Sequence, residues 1–140
     1  MKILELFKNI NPYEVNIVRP YIIAEAGVNH EGSMDIAKRL VDEAKGGGAD
    51  AIKFQHHLPD EEMLPSAPMS DNFDEPLYWF LKKYALSLEQ HQALKQFCDG
   101  EEIIYMCTPF SWKAAQEIDE LVDCFKIGSG EMTDIPTLLR

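Results

Sequence analysis

The chain is short of basic residues, of cysteine and of long apolar runs, and each shortage removes a class of function. Thirteen Lys and Arg stand against 24 Asp and Glu, a formal net charge of −11, which argues against a surface built for nucleic acid or anionic membrane. A small anion stays admissible, because charges more than about 8–10 Å from a pocket are screened at physiological salt. The longest apolar runs, Ile22-Ile23-Ala24 and Ile103-Ile104-Tyr105-Met106-Cys107, fall far short of the roughly 20 residues that cross a bilayer. Lys2, Glu5, Lys8, Asn9, Asn11 and Glu14 interrupt residues 1–20, so this stretch lacks the apolar centre of a secretion signal and a cytoplasmic location is expected. Cys98, Cys107 and Cys124 form no C-x-x-C pair, and reduced, buried thiols are the plain expectation. No H-x-x-x-H occurs among His30, His56, His57 and His91. The adjacent pair His56-His57 would point to opposite faces of a strand, so these histidines are not read as a metal site.

What is present suits a folded domain: 46% of residues are hydrophobic and 26% charged, enough apolar material for a core. Residues 1–20 read as an extension or cap, and 21–140 as strands alternating with helices. Tyr21 to Ala24 is a short strand, followed by a loop with Gly27, Asn29, His30 and Gly32. Ile36, Leu40, Val41 and Ala44 then recur at helical spacing, with Ser33 as N-cap and Gly46-Gly47-Gly48 as the stop. Glycine inside a helix costs about 1 kcal/mol relative to alanine, so this end is expected to fray. Ala49 to Gln55 gives a second strand, and a long stretch from His56 to Leu86 with Pro59, Pro65, Pro68 and Pro76 follows, broken by one short helix near Leu77 to Tyr84. Ser87 can cap a helix whose apolar positions Leu88, Leu94 and Phe97 lead to Asp99-Gly100. Ile103 to Thr108 is a third strand, ended by Pro109 and Phe110. Ser111 caps a helix over Trp112 to Leu121, Cys124 to Gly128 is a fourth strand, and Asp134 and Pro136 announce a further helix.

Strands linked by helical crossovers predict a parallel α/β sheet. Rossmann-like and barrel folds both fit, but no G-x-G-x-x-G follows the first strand. Polar residues instead recur where strands end: Glu25, Lys53 with Gln55, Thr108, and Lys126 with Ser129. That pattern favours a (β/α)8 barrel, whose sites gather at the carboxyl ends of its strands. About 250 residues complete such a barrel, so this chain would cover about the first four strand-helix units.

Lys53 and Lys126 lie inside apolar strands, where an unpaired ammonium is costly. They either flank an anion or pair with neighbouring carboxylates, and the residues alone leave both open. Ser129-Gly130 can complete a phosphate cradle or be an ordinary turn. Glu25 and Glu131, at the ends of the first and fourth strands, could face each other across a barrel mouth and move protons.

Four blocks in order carry a resemblance: Ile22 to Gly32, Gly48 to Gln55, Thr108 to Ser111, and Phe125 to Glu131. Through them the chain, from about Tyr21 to Leu139, resembles the sialic acid synthase family, enzymes that condense phosphoenolpyruvate with an N-acetylated aminosugar. The resemblance implies a barrel, phosphoenolpyruvate and N-acetylmannosamine or a related sugar as ligands, and a homodimer. It implies that Lys53 and Thr108 hold the carboxylate of phosphoenolpyruvate, that Lys126 and Ser129 hold its phosphate, and that Gln55 and Asn72 orient the sugar. Glu25 and Glu131 match the family's active-site carboxylates. A divalent metal, manganese or magnesium, is implied as well, with its ligands on later strands outside this chain. Such a piece is expected to be inactive alone, and a non-catalytic anion-binding half-barrel that self-associates is the alternative.

Overall fold

The computed structural model describes residues 19–67, 69 and 75–139. A three-stranded parallel sheet in the order β1-β2-β3 organises them. Its strands are β1 (Ile23–Gly27), β2 (Ala51–His56) and β3 (Ile104–Pro109), and helices α1 (Met34–Gly46) and α4 (Leu88–Gly100) make the two crossovers. Parallel neighbours require such crossovers, so the α/β class follows from the connections themselves. Among the described residues no helix is long and apolar enough to cross a membrane.

Capping hydroxyls fix the helix starts where the sequence put them. Ser33 Oγ accepts from Ile36 N, and Ser111 Oγ accepts from Ala114 N to open α5 (Trp112–Ile118). At α4 a full capping box forms, with Ser87 Oγ accepting from Gln90 N while the Gln90 side chain accepts from Ser87 N. Ser87→Ala should cost about 1 kcal/mol of stability, read as a lower urea midpoint at unchanged slope. At the end of α1, Gly47 N–H bonds to Glu43 O, Ala49 N–H to Ala44 O, and Lys45 Nζ to Glu102 O at 2.9 Å, so local backbone bonds and one long-range contact hold this end.

The strand period of two divides the sheet into two faces. Ile52, Phe54, Tyr105 and Cys107 point toward the helices and join Ala37, Val41, Leu94, Cys98 and Ile118 in the main core. On the other face Ala51, Met106, Ile104, Tyr21 and Cys124 make a smaller apolar cluster. All three thiols are free, and burial pushes those of Cys98 and Cys107 up to about 12, as inert core residues require.

Three expectations need correction. The fourth strand, Cys124 to Gly128, is present only as a single parallel bridge between Cys107 and Phe125; Phe125 and Ile127 stay exposed, so no burial on both faces holds a ladder there. β3 lies one residue later at each end than the expected Ile103 to Thr108, with Pro109 as its last residue, opposite His56, and Phe110 N–H bonds to His56 O. The helix after Ser111 turns into a 3-10 segment at Asp119–Leu121. The stretch after β2 also contains a helix the sequence did not signal, α2 (Pro59–Glu62), with proline in its first turn. The expected helix at Leu77–Tyr84 forms as α3 and is tied to α2 by Asp60, which accepts from Tyr78 Oη and Lys82 Nζ, each at 2.5 Å.

Candidate active site

Register decides which side chains share a face, and it gathers most of the candidates on one. Glu25 is opposite Lys53, and Gln55 is opposite Thr108. These four lie on the sheet face away from the helices, at or near the carboxyl ends of the strands. Cys124 packs on that face, and Phe125 bridges Cys107 of β3.

A β-bulge aims the first of them. Pairing slips between Glu25 and Gly27, and Gly27 takes φ +54, a left-handed conformation that glycine adopts without penalty. Gly27 N–H donates to Glu25 Oε1 at 3.1 Å, while Glu25 Oε2 takes the ammonium of Lys53. Lys53 is therefore paired with a neighbouring carboxylate, the second of the two alternatives left open by the sequence. Its side chain is 11% exposed and that of Glu25 is 52% exposed, so the pair sits at the rim of the face.

The other candidates are placed less closely. Thr108 is buried on β3. Lys126 is exposed, its Nζ donating to Ile127 O at 2.5 Å, and Ser129 lies in an exposed turn. Glu131 opens a 3-10 turn, Glu131–Thr133. A Cβ at Gly128 would displace the Glu131 carboxylate and stand 3.3 Å from the Phe110 ring. Glu131 Oε2 is buried with no hydrogen-bond partner. Asn72 lies outside the described residues.

Sequence reasoning missed His57. Its ring meets Gln55 Oε1 at 3.0 Å through Nε2 and Glu62 Oε2 at 2.9 Å through Nδ1, and stacks on Phe110 with centroids 4.1 Å apart. The available signal was spacing: position 57 shares a strand face with 55. His56 points the opposite way, to Glu117 at 2.8 Å and to the His91 ring, as adjacency requires.

A parallel α/β sheet that presents a cation, a carboxylate, an amide and a hydroxyl on one face belongs to the proteins that receive small polar ligands at strand ends. Comparison narrows the class. Residues 40–140 match the model of the NeuB family, and the chain belongs to that family, as its four sequence blocks implied. It is similar to the N,N'-diacetyllegionaminic acid synthase of Legionella pneumophila, at 39% identity over 132 residues covering 84% of this chain and 35% of that protein. It is likewise similar to the N-acetylneuraminate-9-phosphate synthase of Homo sapiens, at 32% identity over 84% of this chain and 34% of that protein. A crystal structure of N-acetylneuraminic acid (sialic acid) synthetase from Leptospira borgpetersenii in complex with citrate superposes with a TM-score of 0.69 at 30% identity, over 84% of this chain and 39% of the other. The chain thus spans about a third of the length of the curated relatives it matches.

Proposed function

We propose that this chain forms the first part of a (β/α)8 barrel that condenses phosphoenolpyruvate with an N-acetylated aminosugar such as N-acetylmannosamine, giving a sialic-type 2-keto acid and phosphate. The observation that carries the proposal is the gathering of Glu25, Lys53, Gln55 and Thr108 on one sheet face, in a member of the NeuB family. The relatives' names supply the reaction class.

In this reading Lys53 and Thr108 receive the carboxylate of phosphoenolpyruvate, and Lys126 and Ser129 its phosphate. Binding exchanges partners: the ligand carboxylate takes the Lys53 ammonium from Glu25, and the released Glu25 carboxylate becomes free to accept a proton. The methylene carbon of phosphoenolpyruvate bonds to the open-chain aldehyde carbon of the sugar, and the aldehyde oxygen gains a proton. Water adds to the cationic carbon left behind and loses one proton to Glu131 or Glu25, which balances the proton gained by the aldehyde oxygen; the remaining hydroxyl proton passes to the departing phosphate as the carbon–phosphate-oxygen bond breaks and the keto group forms. The lysines act by placed charge, which is worth more in a dry pocket than in water. Gln55 and Asn72 orient the sugar.

The family resemblance also implies manganese or magnesium. Among the described residues no group of three or more His, Cys, Asp and Glu side chains is arranged to hold a metal, so these residues do not fit one and no step is routed through it. A homodimer, and a cytoplasmic setting in which the three thiols stay reduced, belong to the same proposal; sedimentation velocity tests the first.

Phosphate release from phosphoenolpyruvate in the presence of N-acetylmannosamine, measured on the complete enzyme that carries this segment, tests the reaction. Lys126→Ala and Glu131→Ala should each remove turnover, by about 100-fold or more. Turnover unaffected by both would reject the assignment, and ligand binding without turnover would favour the self-associating, non-catalytic module.

A further inference from the structure

We infer that His57 is a positioning residue that fixes which end of the Gln55 amide faces the ligand. The inference rests on the proposed site but stands on its own geometry. Three elements clamp the ring: Gln55 on β2, Glu62 on α2, and Phe110 just past β3. His57 is buried, and the Glu62 side chain is only 4% exposed. Leu58 N–H also donates to Glu62 Oε1, so the carboxylate is held as an acceptor on both oxygens.

The donor count follows. A carboxylate can only accept, so His57 Nδ1 carries a proton toward Glu62 Oε2. Glu62 is buried, and His57 is the only basic side chain paired with it among the described residues, so the ring that balances this charge is the imidazolium. Its Nε2 then carries a proton as well and donates to Gln55 Oε1, which only accepts. The opposite end of the amide is consistent with this. Gln55 Nε2 and Glu25 Oε1 both lie beside Gly27, 3.7 and 3.8 Å from the point where a Cβ would stand. With the carbonyl captured by His57, Gln55 offers its NH2 group to the mouth. The ligand atom it meets must then be an acceptor: a hydroxyl, ring or carbonyl oxygen of the sugar.

The test has two arms. In ligand-free protein, 15N spectra should show both His57 ring nitrogens protonated and a single, exchange-protected Gln55 amide pair. His57→Phe, close in shape, should lose the protection; His57→Gln, which restores one donor near Nε2, should keep it. Glu62→Gln removes only the matching charge, and should strip the second ring proton and reverse the amide. An unprotonated Nε2 in the unaltered protein would overturn the inference whatever the protein catalyses. In the second arm, His57→Phe and Glu62→Gln should weaken N-acetylmannosamine binding to the phosphoenolpyruvate-loaded protein about tenfold, with His57→Gln near the unaltered protein. Phosphoenolpyruvate binding should change by less than about twofold, since no phosphoenolpyruvate contact runs through this ring. Equal losses for both ligands, or none for the sugar, would overturn the positioning role. Failure of the unaltered protein to bind phosphoenolpyruvate would count against the proposed reaction and leave the 15N arm to decide the role of His57.

Discussion

Lys53→Met should weaken phosphoenolpyruvate binding by about 100-fold, whereas Glu25→Gln should tighten it and still abolish turnover. The two outcomes come from one ion pair. Lys53 is buried and its only acidic partner among the described residues is Glu25. Methionine keeps the length and apolar body of the side chain but removes the ammonium, so a charge-assisted bond to the ligand is lost, worth about 1.5–3 kcal/mol. Glu25 would also be left uncompensated at the rim, where it repels an anion. Glutamine at 25 keeps the hydrogen bond from Gly27 N–H but frees the ammonium, so the ligand carboxylate no longer has to displace a competitor. The same change removes a proton acceptor, which separates binding from chemistry. Isothermal titration with phosphoenolpyruvate and a phosphate-release assay read the two quantities independently. A Lys53→Met protein that binds as before, or a Glu25→Gln protein that binds more weakly, would show that the pair is structural and that the anion sits elsewhere.

That pair also marks what the sequence did and did not contain. Caps were legible because each is a local event: Ser33, Ser87 and Ser111 accept from backbone donors three residues away. The bounds of α3 were legible for the same reason, between Pro76 and Ala85. Glu25 and Lys53 were each legible as polar groups at strand ends, but their pairing depends on the β1–β2 register and on the bulge at Gly27, which are set by contacts between residues 28 apart. Long-range register is what a single sequence states least directly. The link from Gln55 through His57 to Glu62 failed to show for a related reason. It needs a four-residue helix, shorter than a hydrophobic period can announce. The fourth strand erred the other way: its apolar run reads as buried, yet Phe125 and Ile127 flank an open groove of about 570 Å3 with α5 and α6 (Ile135–Leu138).

Acid should unfold the chain earlier than its surface carboxylates alone would cause, with His91 as the main origin. His91 is fully buried, shares a hydrogen bond of 2.7 Å between its Nδ1 and Tyr105 Oη, and meets the His56 ring edge-on with centroids 4.7 Å apart. Its Nε2 is buried without a hydrogen-bond partner, so a second ring proton would have no acceptor there. Desolvation first, and the nearby His56, His30 and His57 next, lower the His91 pKa from 6.5 to about 3. Burial likewise lowers His30, to about 4. Between those values and 6.5 the unfolded chain binds protons that the folded chain refuses, so stability is full above pH 6.5 and declines as pH falls toward 3. The slope for His91 is about 1.4 kcal/mol per pH unit, steep against a total stability of about 5–15 kcal/mol for a domain. Urea midpoints at pH 7.5, 6, 5 and 4, on about unit steps where the titration is expressed, measure it. His91→Phe removes the titrating ring while keeping its bulk. It should lower the midpoint at pH 7.5, because Tyr105 Oη loses a hydrogen-bond partner in the core, and should flatten the decline below 6.5. Parallel curves for the two proteins would mean that His91 accepts its proton without unfolding the chain, and that the acid sensitivity lies in other groups.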